Sequence, residues 1–211
     1  MTTPDTASVA PASEPVYDPA TTPVPVPAHP VALERLDSPI GRIEVVSDGA
    51  AIIALSIERD GLLPHDELAE RPDDVTRLAV AQLREYFAGA RREFDVPVTL
   101  HGTEFQLDVW ERLVELQWGE VVSYGELGRS TGRPTAGRAV GGAVGANPVP
   151  IIVPCHRVLG STGVITGYSG GEGIPTKSWL LDHENIPHRV PRLMRPEEAP
   201  TLDIPGAESA A

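Results

Sequence analysis

Proline decides where this chain can fold. Its 22 prolines crowd the two ends of the 211 residues, and residues 1–31 mix Pro, Ala and Thr with almost no large apolar side chains. Chain of that kind buries too little surface to offset its ordering entropy. Residues 1–31 are therefore expected to form a disordered tail, and residues 190–211 a flexible one. A folded body is confined to the stretch between them. The hydrophobic content of the chain, 41%, is enough for one ordinary domain or a small domain joined to a second.

The first half of that body, residues 32–100, alternates as strands do. In ALERLDSPIGRIEVVSDGAAIIALSIE, Pro39-Ile40-Gly41 and Asp48-Gly49 punctuate β-branched runs, which predicts a small antiparallel sheet. DDVTRLAVAQLREYFAGA then sets Val75, Ala79, Leu83, Tyr86 and Phe87 on one helical stripe. No cluster of nucleophile, base or ligand stands out here, so this part reads as scaffold.

From Gly102 the pattern turns helical, with marked starts. Thr103 and Gln106 form a capping box ahead of Phe105, Val109, Leu113 and Leu116, and Ser123 and Glu126 form another at the head of SYGELGRSTG. A turn at Gly132-Arg133-Pro134 and a second helix, TAGRAVGGAVGAN, complete the outline of a helix-turn-helix. The expected fold class is α+β, with a small N-terminal antiparallel-sheet domain (32–100) and a mostly helical C-terminal domain (101–189).

The second of these helices is rich in glycine. Gly137, Gly141, Gly142 and Gly145 each weaken a helix interior by about 1 kcal/mol relative to alanine. Either another helix packs closely on them, or the smooth face lies against something that is not protein. With Arg138 protruding, a nucleic-acid groove fits the second reading. The net charge of −13 argues against nucleic acid for the chain as a whole. From Ser123 to Gly160, however, Arg129, Arg133, Arg138 and Arg157 are set against Glu126 alone.

The chain has one cysteine, Cys155, in IIVPCHRVLG. A single cysteine excludes an internal disulfide, and no Cys/His spacing suggests a zinc cage, so the thiol fits a reducing compartment. IIV reads as a buried strand ended by Pro154, which places Cys155 just past a sheet. A small buried hydrophobe is the plain reading of such a residue. His156 next to it offers a base, and Arg157 a positive charge that favours thiolate. A base in this role wants a carboxylate to orient it, and Asp182, Glu184 and other acids all remain open. Downstream, GSTGVITGYSGGEG is a glycine-rich loop carrying Tyr168 and Ser169 but lacking a Walker A ending. Pro175 then opens a helix through TKSWLLDHEN, with Trp179 and Leu180 in the core. That helix also carries Lys177, the one lysine of the chain.

Taken together, SYGELG, GRAVGGAVGAN, NPVPIIVPCHRVLG, TGYSGG and KSWLLDHE resemble the O6-alkylguanine-DNA alkyltransferase family, densely from Gly102 to Ile186 and more loosely back to Leu33. The Pro-Cys-His-Arg-Val core with its upstream Asn-Pro is the most specific part. The resemblance implies that Cys155 is the alkyl acceptor, that His156 takes its proton through a bound water, and that Glu184 orients His156. It implies that Asn147 braces the turn between the recognition helix and the cysteine. Arg138 would fill the space of an extruded nucleotide, while Tyr124 would press on the adjoining phosphate and protonate the leaving guanine. Val158 and Ser169 would offer backbone contacts to the base, Tyr168 a pocket wall, and Gly170 and Lys177 further DNA or base contacts.

The implied partner is double-stranded DNA containing O6-alkylguanine, with O4 of thymine as a second target. The implied chemistry is one irreversible transfer per molecule by a monomer, with no cofactor and no metal. Three departures stand out. The segment EGIPT before Lys177 is longer than is usual in the family. GAVGANP lacks the basic residue often found beside the asparagine, and a lone cysteine cannot supply the structural zinc site of some relatives. Two rival readings remain, a module that binds lesions without transfer and a cysteine hydrolase. Retention of the cysteine opposes the first, and the adjacency of nucleophile and base opposes the second. No apolar run reaches the roughly 18 residues of a membrane span, and the N-terminal stretch lacks a secretory pattern, so a cytoplasmic location away from membranes is expected.

Overall fold

The structure, a computed structural model, describes residues 30–132 and 137–191. Most of both tails, and Arg133 and Pro134 of the expected turn, lie outside the described residues.

Strands β1 (Ala32–Ser38), β2 (Gly41–Ser47) and β3 (Ile52–Ile57) form an antiparallel sheet in sequence order, as the turn signals predicted. The first turn is tied by Ser38, whose hydroxyl donates to the Gly41 carbonyl at 2.6 Å. In the second, Asp48 Oδ1 accepts the amides of Ala50 and Ala51, both at 2.9 Å. The central strand β2 is buried from Ile43 to Ser47 because both its faces are covered. Ile43 and Val45 share a core with Ala79, Val80, Leu83 and Tyr86 of helix α1 (Asp74–Phe87). Val46 joins Leu33 and Ala54 in a separate cluster. Helix α1 opens on a capping box that the sequence pattern hid, Asp73 with Thr76, since threonine stands where glutamate or glutamine is usual.

The second half holds α2 (Glu104–Val114), α3 (Tyr124–Ser130), α4 (Gly137–Gly145) and α5 (Ile174–His183). Between them lie a one-turn 3-10 helix (Cys155–Arg157) and a short parallel ladder of β4 (Val122–Ser123) with β5 (Val158–Leu159). Both expected capping boxes close. The largest buried side chain of α2 is Trp110, whose Nε1 donates to the Ala143 carbonyl of α4 at 2.8 Å. Gly102 admits that ring, because a Cβ there would stand 2.7 Å from Trp110 Cζ3. The chain is thus α+β, and one hydrophobic core runs from Ile43 and Leu55 of the sheet through Leu83 and Trp110 to Val140, Val149 and Cys155.

Candidate active site

The strand expected before the cysteine is absent. Ile151–Val153 turns instead, with Ile151 in the left-handed region at φ +75°. The run imitates a strand because Ile151 and Val153 are buried, yet a turn folded into the core buries them. Left-handed backbone costs a residue of this kind on the order of 1–3 kcal/mol. Asn147 holds the turn from inside: its Nδ2 donates to the Val153 carbonyl at 2.8 Å, and its Oδ1 accepts the Val149 amide at 3.0 Å. Cys155 therefore opens the 3-10 turn behind Pro154. It does not follow a sheet edge.

Next to the thiol, His156 is wholly buried, with Nε2 2.9 Å from Glu184 Oε1. The carboxylate is the acceptor, so Nε2 carries the proton and Nδ1 is the basic nitrogen. Nδ1 has no hydrogen-bond partner among the described residues. Glu184 is crowded with donors. Arg157 reaches its two oxygens from Nε at 2.7 Å and Nη2 at 2.9 Å, and the Tyr86 hydroxyl donates to Oε1 at 2.9 Å. Burial pushes the Glu184 carboxyl up, but the hydrogen bonds and charges of His156 and Arg157 outweigh it and leave the group at about 2. Burial holds His156 below the ordinary histidine value, so the ring is a neutral base.

Here the sequence reading needs correcting. Arg157 does not support the thiolate, because its guanidinium is spent on Glu184 and on the Leu116 carbonyl at 2.6 Å. The positive charge that acts on Cys155 belongs to Lys177. That side chain is buried, and its Nζ donates to the Val158 carbonyl at 2.5 Å. Burial pulls its amine down to about 8, against the pull of the thiolate. Burial likewise pushes the Cys155 thiol up, opposed by a hydrogen bond with Asn147 and by the Lys177 charge.

The cysteine, although only 2% exposed, lines an open cavity of about 470 Å³. Tyr124, Tyr168, Ser169 and Lys177 are also walls, and so are Gly137, Gly141 and Gly145. These three glycines recur every four residues on one face of α4. A Cβ on any of them would meet nothing within 4 Å among the described residues, so the smooth face borders an opening and no described helix packs there. The hydroxyl of Tyr168 is sealed from solvent and turned toward the Cys155 thiol, with which it hydrogen-bonds. Burial, and then the charge of a Cys155 thiolate, keep that phenol protonated. Burial raises Tyr124 as well, against a hydrogen bond with Thr166.

Not every expected residue reaches the cavity. Val158 lies in β5 with its side chain buried and its carbonyl bonded by Lys177. Gly170 stands behind the Tyr168 ring, with its would-be Cβ 2.9 Å from Cε1. Arg138 is exposed on α4. Because Arg157 is buried, the basic surface among the described residues of this region rests on Arg129 and Arg138.

Comparison with known proteins gives the family. The model for the 6-O-methylguanine DNA methyltransferase, DNA binding domain, matches residues 104–186, and that for the ribonuclease-like domain of the same methyltransferase matches residues 33–100. The chain belongs to the 6-O-methylguanine DNA methyltransferase family. A methylated-DNA–protein-cysteine methyltransferase of Mycobacterium bovis is 44% identical over 149 residues, covering 71% of this chain and 89% of its own. That of Haemophilus influenzae is 39% identical over 153 residues, covering 72% and 84%. The crystal structure of Mycobacterium tuberculosis O6-methylguanine methyltransferase superposes with a TM-score of 0.65 at 42% identity, over 72% of this chain and 92% of that one. A complex of the Mycobacterium tuberculosis protein with DNA gives 0.64 at 43% identity, over 71% and 90%.

Within this methyltransferase framework, Tyr86 does more than its place on the apolar stripe of α1 indicates. It is fully buried, as that stripe predicts, and its hydroxyl also reaches the acid of the site. A buried tyrosine usually finds a partner for its O–H, so the signal was present without an address. Thr166, also a cavity wall, had no signal at all.

Proposed function

We propose that this protein repairs alkylated duplex DNA by direct reversal, moving a methyl or larger alkyl group from O6 of guanine, and from O4 of thymine, onto Cys155. The observation that carries the reading is the buried Cys155, His156 and Glu184 series at the wall of an open cavity, within the methyltransferase family to which the chain belongs.

The target base lies inside a stacked duplex, so the nucleotide is rotated out at a cost of a few kcal/mol. Arg138, exposed on α4, fills the gap it leaves. The glycine face of α4 lets the DNA backbone approach, and Tyr124 presses on the adjoining phosphate. Tyr168 and Ser169 bound the base, while the Val158 carbonyl, shared with Lys177, and Gly170 shape the back of its site. The thiol proton passes through a water to His156 Nδ1 as sulfur attacks the alkyl carbon in line. The S–C bond forms while the C–O6 bond breaks, and the electron pair goes to guanine. Tyr124, kept protonated by burial, supplies a proton to the leaving base. Glu184 steadies the imidazolium as it forms.

The product is a thioether, so each molecule acts once. The protein works as a monomer in the cytoplasm, where a reduced thiol survives. Incubation with duplex DNA bearing O6-methylguanine should add one methyl group to the peptide containing Cys155. Persistence of the lesion with no adduct on intact-mass measurement would reject the reading.

A further inference from the structure

The end of β3 and the turn after it read as scaffold, yet they reach across to the cavity wall. Arg59 donates from Nε to the Gly171 carbonyl at 2.7 Å and from Nη2 to the Ser169 carbonyl at 3.1 Å. The Asp60 amide donates to Glu172 Oε1 at 2.8 Å. Ile57 packs beneath: a Cβ on Gly171 would stand 2.9 Å from its Cγ2, and one on Gly170 3.3 Å from its Cδ1. Within the loop, the Gly173 amide donates to the Gly170 carbonyl at 3.0 Å, and the Glu172 amide to Thr176 Oγ1, also at 3.0 Å.

The loop from Gly167 to Gly173 holds four glycines and has little stiffness of its own. Its position is set by what it is fastened to, and three of its hydrogen bonds run to residues more than a hundred positions earlier in the chain. The segment that Arg59 grips follows directly on Tyr168 and includes Ser169, two walls of the cavity that also holds Cys155.

We propose that Arg59, with Glu172, is a positioning pair that fixes the Tyr168–Ser169 wall and so sets the size of the alkyl group admitted between that wall and Cys155. The inference rests on the alkyl-transfer reading above. Arg59 touches no substrate; it acts on two backbone carbonyls from outside the cavity. The rigid fork of a guanidinium bonds two divergent carbonyls, whereas an ammonium acts as a single point. A methyl group reaches the sulfur whether or not the wall shifts slightly. A benzyl group must lie against the wall, so its transfer registers the shift.

The test is single-turnover transfer from duplex DNA carrying O6-methylguanine or O6-benzylguanine, read as adduct mass on Cys155. The proteins are wild type, Arg59→Ala, Arg59→Lys and Glu172→Ala, with a thermal melt of each. Arg59→Ala is expected to raise the benzyl-to-methyl ratio of rate constants by at least about fivefold while methyl transfer stays within roughly threefold of wild type. Arg59→Lys should return part of the way, and Glu172→Ala should shift the ratio in the same direction by less. A ratio unchanged in Arg59→Ala and Glu172→Ala, with wild type transferring methyl normally, overturns the positioning role and leaves the repair function standing. If Arg59→Ala does not fold, the lysine and Glu172 variants decide by the same ratio. Failure of wild type to load Cys155 from either DNA overturns the functional reading itself, and this inference with it.

Discussion

Tyr86 and Glu184 stand 98 residues apart in the chain and meet at 2.9 Å, phenol donating to carboxylate. The helix that covers the N-terminal sheet thereby holds the acid that orients His156. Scaffold and chemistry are joined at one hydrogen bond. Tyr86→Phe removes only that donor, since His156 and Arg157 still bind Glu184. The acceptor is ionised, so the expected loss is about 1.5–3 kcal/mol of stability in urea denaturation. Single-turnover methyl transfer should slow by roughly three- to tenfold, a change that loss of core packing alone would not produce.

Acid should unfold the protein through Glu184. Its folded value of about 2 lies below the ordinary 4.5, so the unfolded chain takes up the proton first. The stabilisation is complete above pH 4.5 and is lost as pH falls from there toward 2, by roughly 3 kcal/mol in all. Glu184→Gln should flatten that limb. It also strands the buried guanidinium of Arg157, at a cost of about 3–5 kcal/mol at neutral pH. Denaturant midpoints measured across the acid range for both proteins check the two statements.

Gly141 separates stability from repair. Alanine there meets nothing in the free protein and should strengthen α4 by about 1 kcal/mol, raising the melting temperature. Gly141→Leu instead fills the cavity and should abolish loading of Cys155 from duplex DNA. A leucine variant that repairs normally would show that this face meets no nucleic acid.

Arg138→Ala should weaken repair in duplex DNA more than reaction with free O6-benzylguanine, because extrusion is needed only in the duplex. Equal losses on the two substrates would count against the finger role. Parallel single-turnover measurements give the answer.

Lys177, the chain's only lysine, should leave a mark at alkaline pH. Burial lowers its folded value to about 8 from 10.5. Between these values the unfolded chain holds more protons, so Lys177 contributes stability that increases as pH rises through the window. Over the same window the charge that supports the Cys155 thiolate is lost, and the gain in transfer rate with pH should flatten above about 8. Lys177→Met should remove both features, as seen in melting curves and transfer rates across that range.

Local chemistry made much of this legible. The turns at Gly41 and Gly49, the stripe of α1 and two capping boxes are contacts between near neighbours in sequence, and each formed where the pattern put it. Cys155 beside His156 also stood out, because a nucleophile next to a base is itself a local pattern. The third capping box escaped, since Thr76 is an unusual residue at its position. The strand before Pro154 was misread because burial by a turn and burial by a sheet leave the same run of apolar letters.

What the chain by itself determined, then, was its helices and sheet, and the placing of a lone thiol next to an imidazole. The tertiary structure decided the partners. Arg157 turned away from its neighbour Cys155 toward Glu184, and distant Lys177 took its place beside the thiol. Tyr86 and Arg59 left the scaffold to hold the acid and the cavity wall. Charges and donors act through space over a few ångströms, and only packing brings side chains a hundred residues apart within that range.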